Sequence, residues 1–111
     1  DYHQQQVLLE RALAIKEKAF GCGHVQVAVT LANLASAYGH LGEYSRQKEL
    51  LERSLAIKER EFGNDHLNVA ATLRNLAEAV GHFGDYHKQK TLLERALSIF
   101  EREFGHDHVD V

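Results

Sequence analysis

The chain has 111 residues, 44% of them apolar, which is enough for one modest domain with a core. A formal net charge of −3 leaves no basic footprint for nucleic acid, and no apolar run is long enough for a membrane helix. The lone cysteine, Cys22, excludes an internal disulfide, and with no signal-peptide pattern this points to an intracellular, cytoplasmic setting.

Residues 2–20 read as the first helix. Leu8, Leu9, Ala12, Leu13 and Ala19 recur at helical spacing, with Glu10, Arg11, Glu17 and Lys18 elsewhere on its surface. Gly21 follows the periodic run and should end it. A second helix is expected over 25–40, with the stripe Ala28, Leu31, Leu34, Ala35, Tyr38 and Leu41, ended by Gly42. The third is expected over 44–61, ended by Gly63, the fourth over 67–82, ended by Gly84, and the fifth over 86–103, ended by Gly105. Asp65 and Asp107 stand where a side chain could cap the following helix, and Gly23 holds that place in the first unit. Short turns predict antiparallel neighbours and no sheet.

These elements repeat. Residues 2–43 and 44–85 share 25 identities in 42, and a third copy begins at Tyr86. The expected organisation is therefore one array over 1–111, with units 2–43 and 44–85 and a partial unit 86–111. Val111 falls inside a repeat, which reads as a piece of a longer array. Such self-similarity predicts stacked copies of one supersecondary unit, because a single helix pair cannot bury its own apolar face.

The residues Leu31-x-x-Leu34-Ala35-x-x-Tyr38, then Gly42-x-Tyr44, then Leu51-x-x-Ser54-Leu55 resemble a tetratricopeptide repeat. The longer period, with LLERALAIKE, FG-x-DH and VA-x-TL-x-NLA, is similar to the repeats of kinesin light chains and nephrocystin-3-like proteins. The resemblance covers the whole chain and implies an all-α, right-handed α-solenoid of antiparallel helix pairs. The chain departs from that pattern where relatives carry GPDHP, having GCGHV, GNDHL and GHDHV without proline. Gln5, Gln47 and Gln89 stand where a small alanine is frequent, and Val80 replaces Tyr38 in the second unit.

A second stripe runs beside the apolar one on the first helix of each pair. It holds Gln26, Val29, Asn33, Ser36 and His40, and in the next unit Asn68, Ala71, Asn75, Glu78 and His82. The spacing of 3, 4, 3, 4 puts each set on one face. The resemblance implies that this face is the concave side of the array, where such repeats hold peptide segments. A carboxamide offers a donor and an acceptor together, so Asn33 and Asn75 could grip a peptide backbone whatever its side chains. The competing expectation is that each Asn bonds its own helix or the neighbouring unit.

Arg74 replaces Ala32 in the second unit. The resemblance implies a contact with a ligand carboxylate, whereas the local spacing favours an intrahelical pair with Glu78 four residues on. His40 and His82 stand near helix ends, either against the last carbonyls or as groove-lining groups. His24, His66 and His108 are repeat-equivalent and about 10 Å apart by helix-packing distances, too far for one ion. They are expected to serve packing or capping, and the short tract His106-Asp107-His108 is a weak metal signal. No phosphate loop, nucleophile elbow or paired-carboxylate site is present, so neither enzyme activity, cofactor nor metal is expected.

The sequence thus predicts a protein–protein interaction module that binds a peptide segment through Asn33, Asn75, Arg74, Ser36, Glu78, His40 and His82. The alternative is a structural spacer or self-association arm of a larger scaffold or signalling protein. The apolar stripes of the end helices, including Leu92, Leu93, Leu97 and Ile99, predict end-to-end association of copies.

Overall fold

The computed structural model describes residues 1–105. Five helices follow one another: α1 Tyr2–Phe20, α2 Val25–His40, α3 Tyr44–Phe62, α4 Leu67–Gly81 and α5 Tyr86–Phe104. No strand occurs among the described residues. Each helix packs on its neighbours in the chain, which gives an extended stack of 42 × 31 × 24 Å.

α2, α3 and α4 each lie between two other helices, and α2 and α4 carry most of the core. Both bury eight residues at equivalent positions, from Val27 to Tyr38 in α2 and from Val69 to Val80 in α4. Small residues let the helices approach closely. Ser54 of α3 is wholly buried, and its hydroxyl donates to the Ala28 carbonyl of α2 at 2.9 Å. Thr30 and Thr72 are buried too, and each hydroxyl donates to the carbonyl four residues earlier in its own helix.

The end helices are covered on one side only. Leu51 of α3 is 2% exposed under α4, while its equivalent Leu93 on α5 is 42% exposed. Ile57 is 6% exposed against α2, while its equivalent Ile15 on α1 is 67% exposed. The apolar stripe of the last helix is covered on one side and open on the other. Leu93 and Leu97 are exposed, but Leu92 and Ile99 face α4 and are buried.

The glycines expected to stop helices do so. Gly63 has φ 85° and its N–H closes on the Glu59 carbonyl at 2.9 Å; Gly42 turns the chain from α2 to α3 with φ 80°. These conformations favour a residue without a Cβ. Of the expected caps, the loop histidines hold and Gly23 and Asp65 do not. The N-cap residues are His24 and His66, whose Nδ1 atoms accept from Gln26 N–H and Asn68 N–H at 3.0 Å. Each ring also stacks on the phenylalanine that ends the preceding helix, Phe20 or Phe62, at 4.7 Å. This imidazole does the work assigned to Gly23 and Asp65. Asp65 instead pairs with Arg102 at 2.8 Å. Asp107, His106 and His108 lie outside the described residues.

The charges of α1, α3 and α5 are not merely a solvated face. Arg53 of α3 reaches Glu17 of α1 at 3.0 Å, and one repeat later Arg95 of α5 reaches Glu59 of α3 at 3.0 Å. The same joint is built twice.

Candidate functional site

The helical period leaves one face of α2 and α4 uncovered, since α1, α3 and α5 pack on the others. Gln26, Val29, Asn33, Ser36 and His40 are all exposed on α2. On α4 and its C-cap, Asn68, Arg74, Asn75, Glu78 and His82 are exposed and Ala71 is half-buried. The polar stripe read from the spacing is therefore a real surface.

Between α2 and α4, over α3, this surface dips into a pocket of about 440 Å³. Ser36 and His40 line it from α2, and Asn75, Glu78 and His82 line it from α4 and its cap. Ala32, Gly39, Tyr44, Gln47 and Leu51 complete the wall and floor. Five of the seven residues named from the sequence thus come together. Asn33 and Arg74 are exposed but do not line this pocket.

Neither Asn33 nor Asn75 makes a side-chain hydrogen bond among the described residues, so the carboxamides are not tied to their own helix or to a neighbouring one. The intrahelical pair between Arg74 and Glu78 is also absent: no ion pair joins either side chain to a described residue. Spacing alone permits such a pair on an exposed face, but its small net gain does not offset the freedom of two long side chains.

Both terminal histidines are fixed by aromatic contact. The His40 ring stacks on Tyr2 at 4.2 Å and 8°, and the His82 ring stacks on Tyr44 at 3.9 Å and 9°. His40 Nδ1 also meets the Ser36 carbonyl at 2.8 Å, and since a carbonyl only accepts, that nitrogen is the donor. One nitrogen of His40 serves the helix end while its ring borders the pocket.

Gln47 is the residue whose part the sequence did not disclose. Its departure from a small residue was legible, but not how the space is made. The amide lies against Gly39 of α2, where a Cβ would come 2.4 Å from Nε2. The same fit recurs between Gln89 and Gly81, at 2.6 Å. The signal was present as a glycine and a glutamine recurring together eight residues apart in both units.

A second pocket of about 290 Å³ lies between α1 and α3. The Tyr38 hydroxyl there donates to Glu10 at 2.5 Å and receives Arg46 at 3.4 Å. The Tyr38 hydroxyl, with the Gln6 amide, holds the Glu10 carboxyl below its ordinary range. Burial, with the Glu10 carboxylate beside it, pushes the Tyr38 phenol up. This network ties α1, α2 and α3 together, and Val80 cannot repeat it in the next unit. Among the described residues no cluster of three His, Cys, Asp or Glu side chains could hold a metal ion. Cys22 is exposed, and no described helix is long and apolar enough to cross a membrane.

This stack of helix pairs with an open polar face defines a helical-repeat scaffold. Residues 48–102 match a family model described as tetratricopeptide repeat, and residues 27–68 match a second model of the same description. The chain belongs to the tetratricopeptide repeat family, whose members are as a class non-catalytic protein–protein interaction modules. Among solved structures it is similar to a kinesin light chain-like protein of Podosopora anserina with nearly identical TPR-like repeats. The two chains are 27% identical with a TM-score of 0.85, over 92% of this chain and 48% of that one. A single-substitution variant of the same protein gives the same values. The chain thus spans about half the length of the solved chains it matches. Comparison with curated proteins gave no match.

Proposed function

We propose that the chain holds an extended peptide segment of a protein partner on the concave face of its array. Asn33 and Asn75 grip the peptide backbone, and Arg74, Ser36, Glu78, His40 and His82 select among side chains. The observation that carries this reading is the pair of repeat-equivalent carboxamides, exposed and unbonded, on the face that borders the 440 Å³ pocket. A carboxamide left in water keeps its donor and acceptor ready for a partner, at no desolvation cost until binding. The reading goes with a cytoplasmic setting and with neither nucleic acid nor membrane as partner, as the net charge of −3 suggests. Few units contribute contacts, so affinity should be modest.

The test is a displayed-peptide selection on this chain, run in parallel on the Asn33→Ala/Asn75→Ala variant. A motif that enriches on the parent and vanishes on the variant supports a groove binder. No enrichment from the folded parent contradicts it.

A second reading, a spacer or self-association arm, is favoured by the exposed Leu8 and Ile15 of α1 and Leu93 and Leu97 of α5. Light scattering over a range of concentrations decides it: a mass that stays monomeric removes end-to-end association.

A further inference from the structure

The pocket between α2 and α4 has a marked chemical polarity. Of its lining side chains only Glu78 carries a full charge of fixed sign at neutral pH, and that charge is negative. The carboxylate is exposed and has no ion pair among the described residues, so the fold does not use it to hold helices together. Nor does the repeat demand it, because Ser36 stands at the equivalent position one unit earlier. Around it the Ser36 hydroxyl and the Asn75 carboxamide oxygen can accept hydrogen bonds, while the half-buried Ala32 adds apolar surface. Arg74, one turn earlier on α4, is outside the pocket.

We infer that this pocket receives a lysine or arginine side chain of the partner segment, with Glu78 as its counter-charge. This rests on the peptide-binding reading and deepens it. A long basic side chain matches the lining in both halves, since its methylene stem covers apolar wall while its head reaches acceptors. A cationic head brings only donors, which an acceptor-bearing wall can satisfy. An acidic side chain would meet the Glu78 carboxylate with no lining lysine or arginine to offset the repulsion. The overall negative charge of the chain adds to the attraction at longer range.

The experiment selects from a random displayed dodecapeptide library on the whole 111-residue chain and on its Glu78→Ser and Glu78→Lys variants. Circular dichroism checks that each variant is folded; Glu78 is exposed, so both should be. The expected result is a parent motif with one fixed Lys or Arg position. On Glu78→Ser that position loses its preference while the rest of the motif remains, and the parent peptide binds about fivefold more weakly. On Glu78→Lys the position turns to Asp or Glu. A motif with no basic position, or a basic position indifferent to both substitutions, overturns the inference. If such a motif is still lost on Asn33→Ala/Asn75→Ala, the peptide-binding reading survives and only the assignment of Glu78 fails. A folded parent that enriches nothing overturns both.

Discussion

Gly39 of α2 gives its missing side-chain volume to Gln47 of α3: a Cβ on Gly39 would lie 2.4 Å from the Gln47 Nε2. The fit is not free, because the Gln47 Oε1 is buried with no hydrogen-bond partner among the described residues. An orphaned acceptor costs about 1–3 kcal/mol, and a helical glycine about 1 kcal/mol relative to alanine. The double variant Gly39→Ala/Gln47→Ala should therefore be more stable than the parent by about 1 kcal/mol or more. Gly39→Ala alone should fall short of its helix-propensity gain, because the amide must move. Urea denaturation of the parent, both single variants and the double variant gives the coupling energy. Additive effects would show that the two residues do not share the space.

The Tyr38 hydroxyl is a joint between three helices, bonded to Glu10 of α1 and Arg46 of α3. Tyr38→Phe should cost about 1–2 kcal/mol near neutral pH. The sign with pH follows from the shifts. The Glu10 carboxyl is held low, so its contribution is present above the ordinary carboxylate range and is lost as pH falls through the folded value. The Tyr38 phenol is pushed up, so its contribution is present below its ordinary value and is lost as pH rises through the folded one. The deficit of Tyr38→Phe should thus be widest between about pH 5 and 9 and narrow at both ends. Denaturation midpoints from about pH 3 to about pH 11 check it.

The capping assignment separates two neighbours. His66→Ala removes the acceptor for Asn68 N–H and the stack on Phe62, and should cost about 1–2 kcal/mol. Asp65→Ala removes only a surface pair with Arg102 and should stay within about 0.5 kcal/mol of the parent. Equal costs would return the cap to Asp65.

Lys58 of α3 is half-buried, with its ammonium donating to the Thr72 hydroxyl at 3.0 Å. Burial pulls its pKa down, so at neutral pH the charged form strains against the fold, and the strain eases as pH rises. The repeat-equivalent residue is Phe100, which packs against the core. Lys58→Met should be more stable than the parent by up to about 1 kcal/mol at pH 7, with the advantage shrinking as pH rises toward about 10. Thermal melts at pH 7 and 10 read this directly.

The fold was legible because repetition and helical spacing state the same thing twice. The five helices lie within a residue of their expected bounds, and glycines stop them where they should. What escaped lies in pairings between helices. Nothing local says that His66 and not Asp65 faces the Asn68 N–H, since either side chain can accept. Glu17 and Arg53 are 36 residues apart, beyond any intrahelical rule, whereas Arg74 and Glu78 satisfy that rule and do not pair. The polar stripe was visible in the 3, 4, 3, 4 spacing. Its pocket was not, because Gly39, Tyr44 and Gln47 enter it only once α2 and α3 have packed.

The two exposed carboxamides, Asn33 and Asn75, are the proposed grips on a peptide backbone. The most direct measurement is a fluorescence-anisotropy titration of a peptide selected on the parent, against the parent and against Asn33→Ala/Asn75→Ala, with urea midpoints recorded alongside. A loss of at least tenfold in affinity with midpoints within about 0.5 kcal/mol is predicted, since both side chains are exposed and unbonded. Equal affinity for the two proteins would contradict it and move the chain's role away from this face.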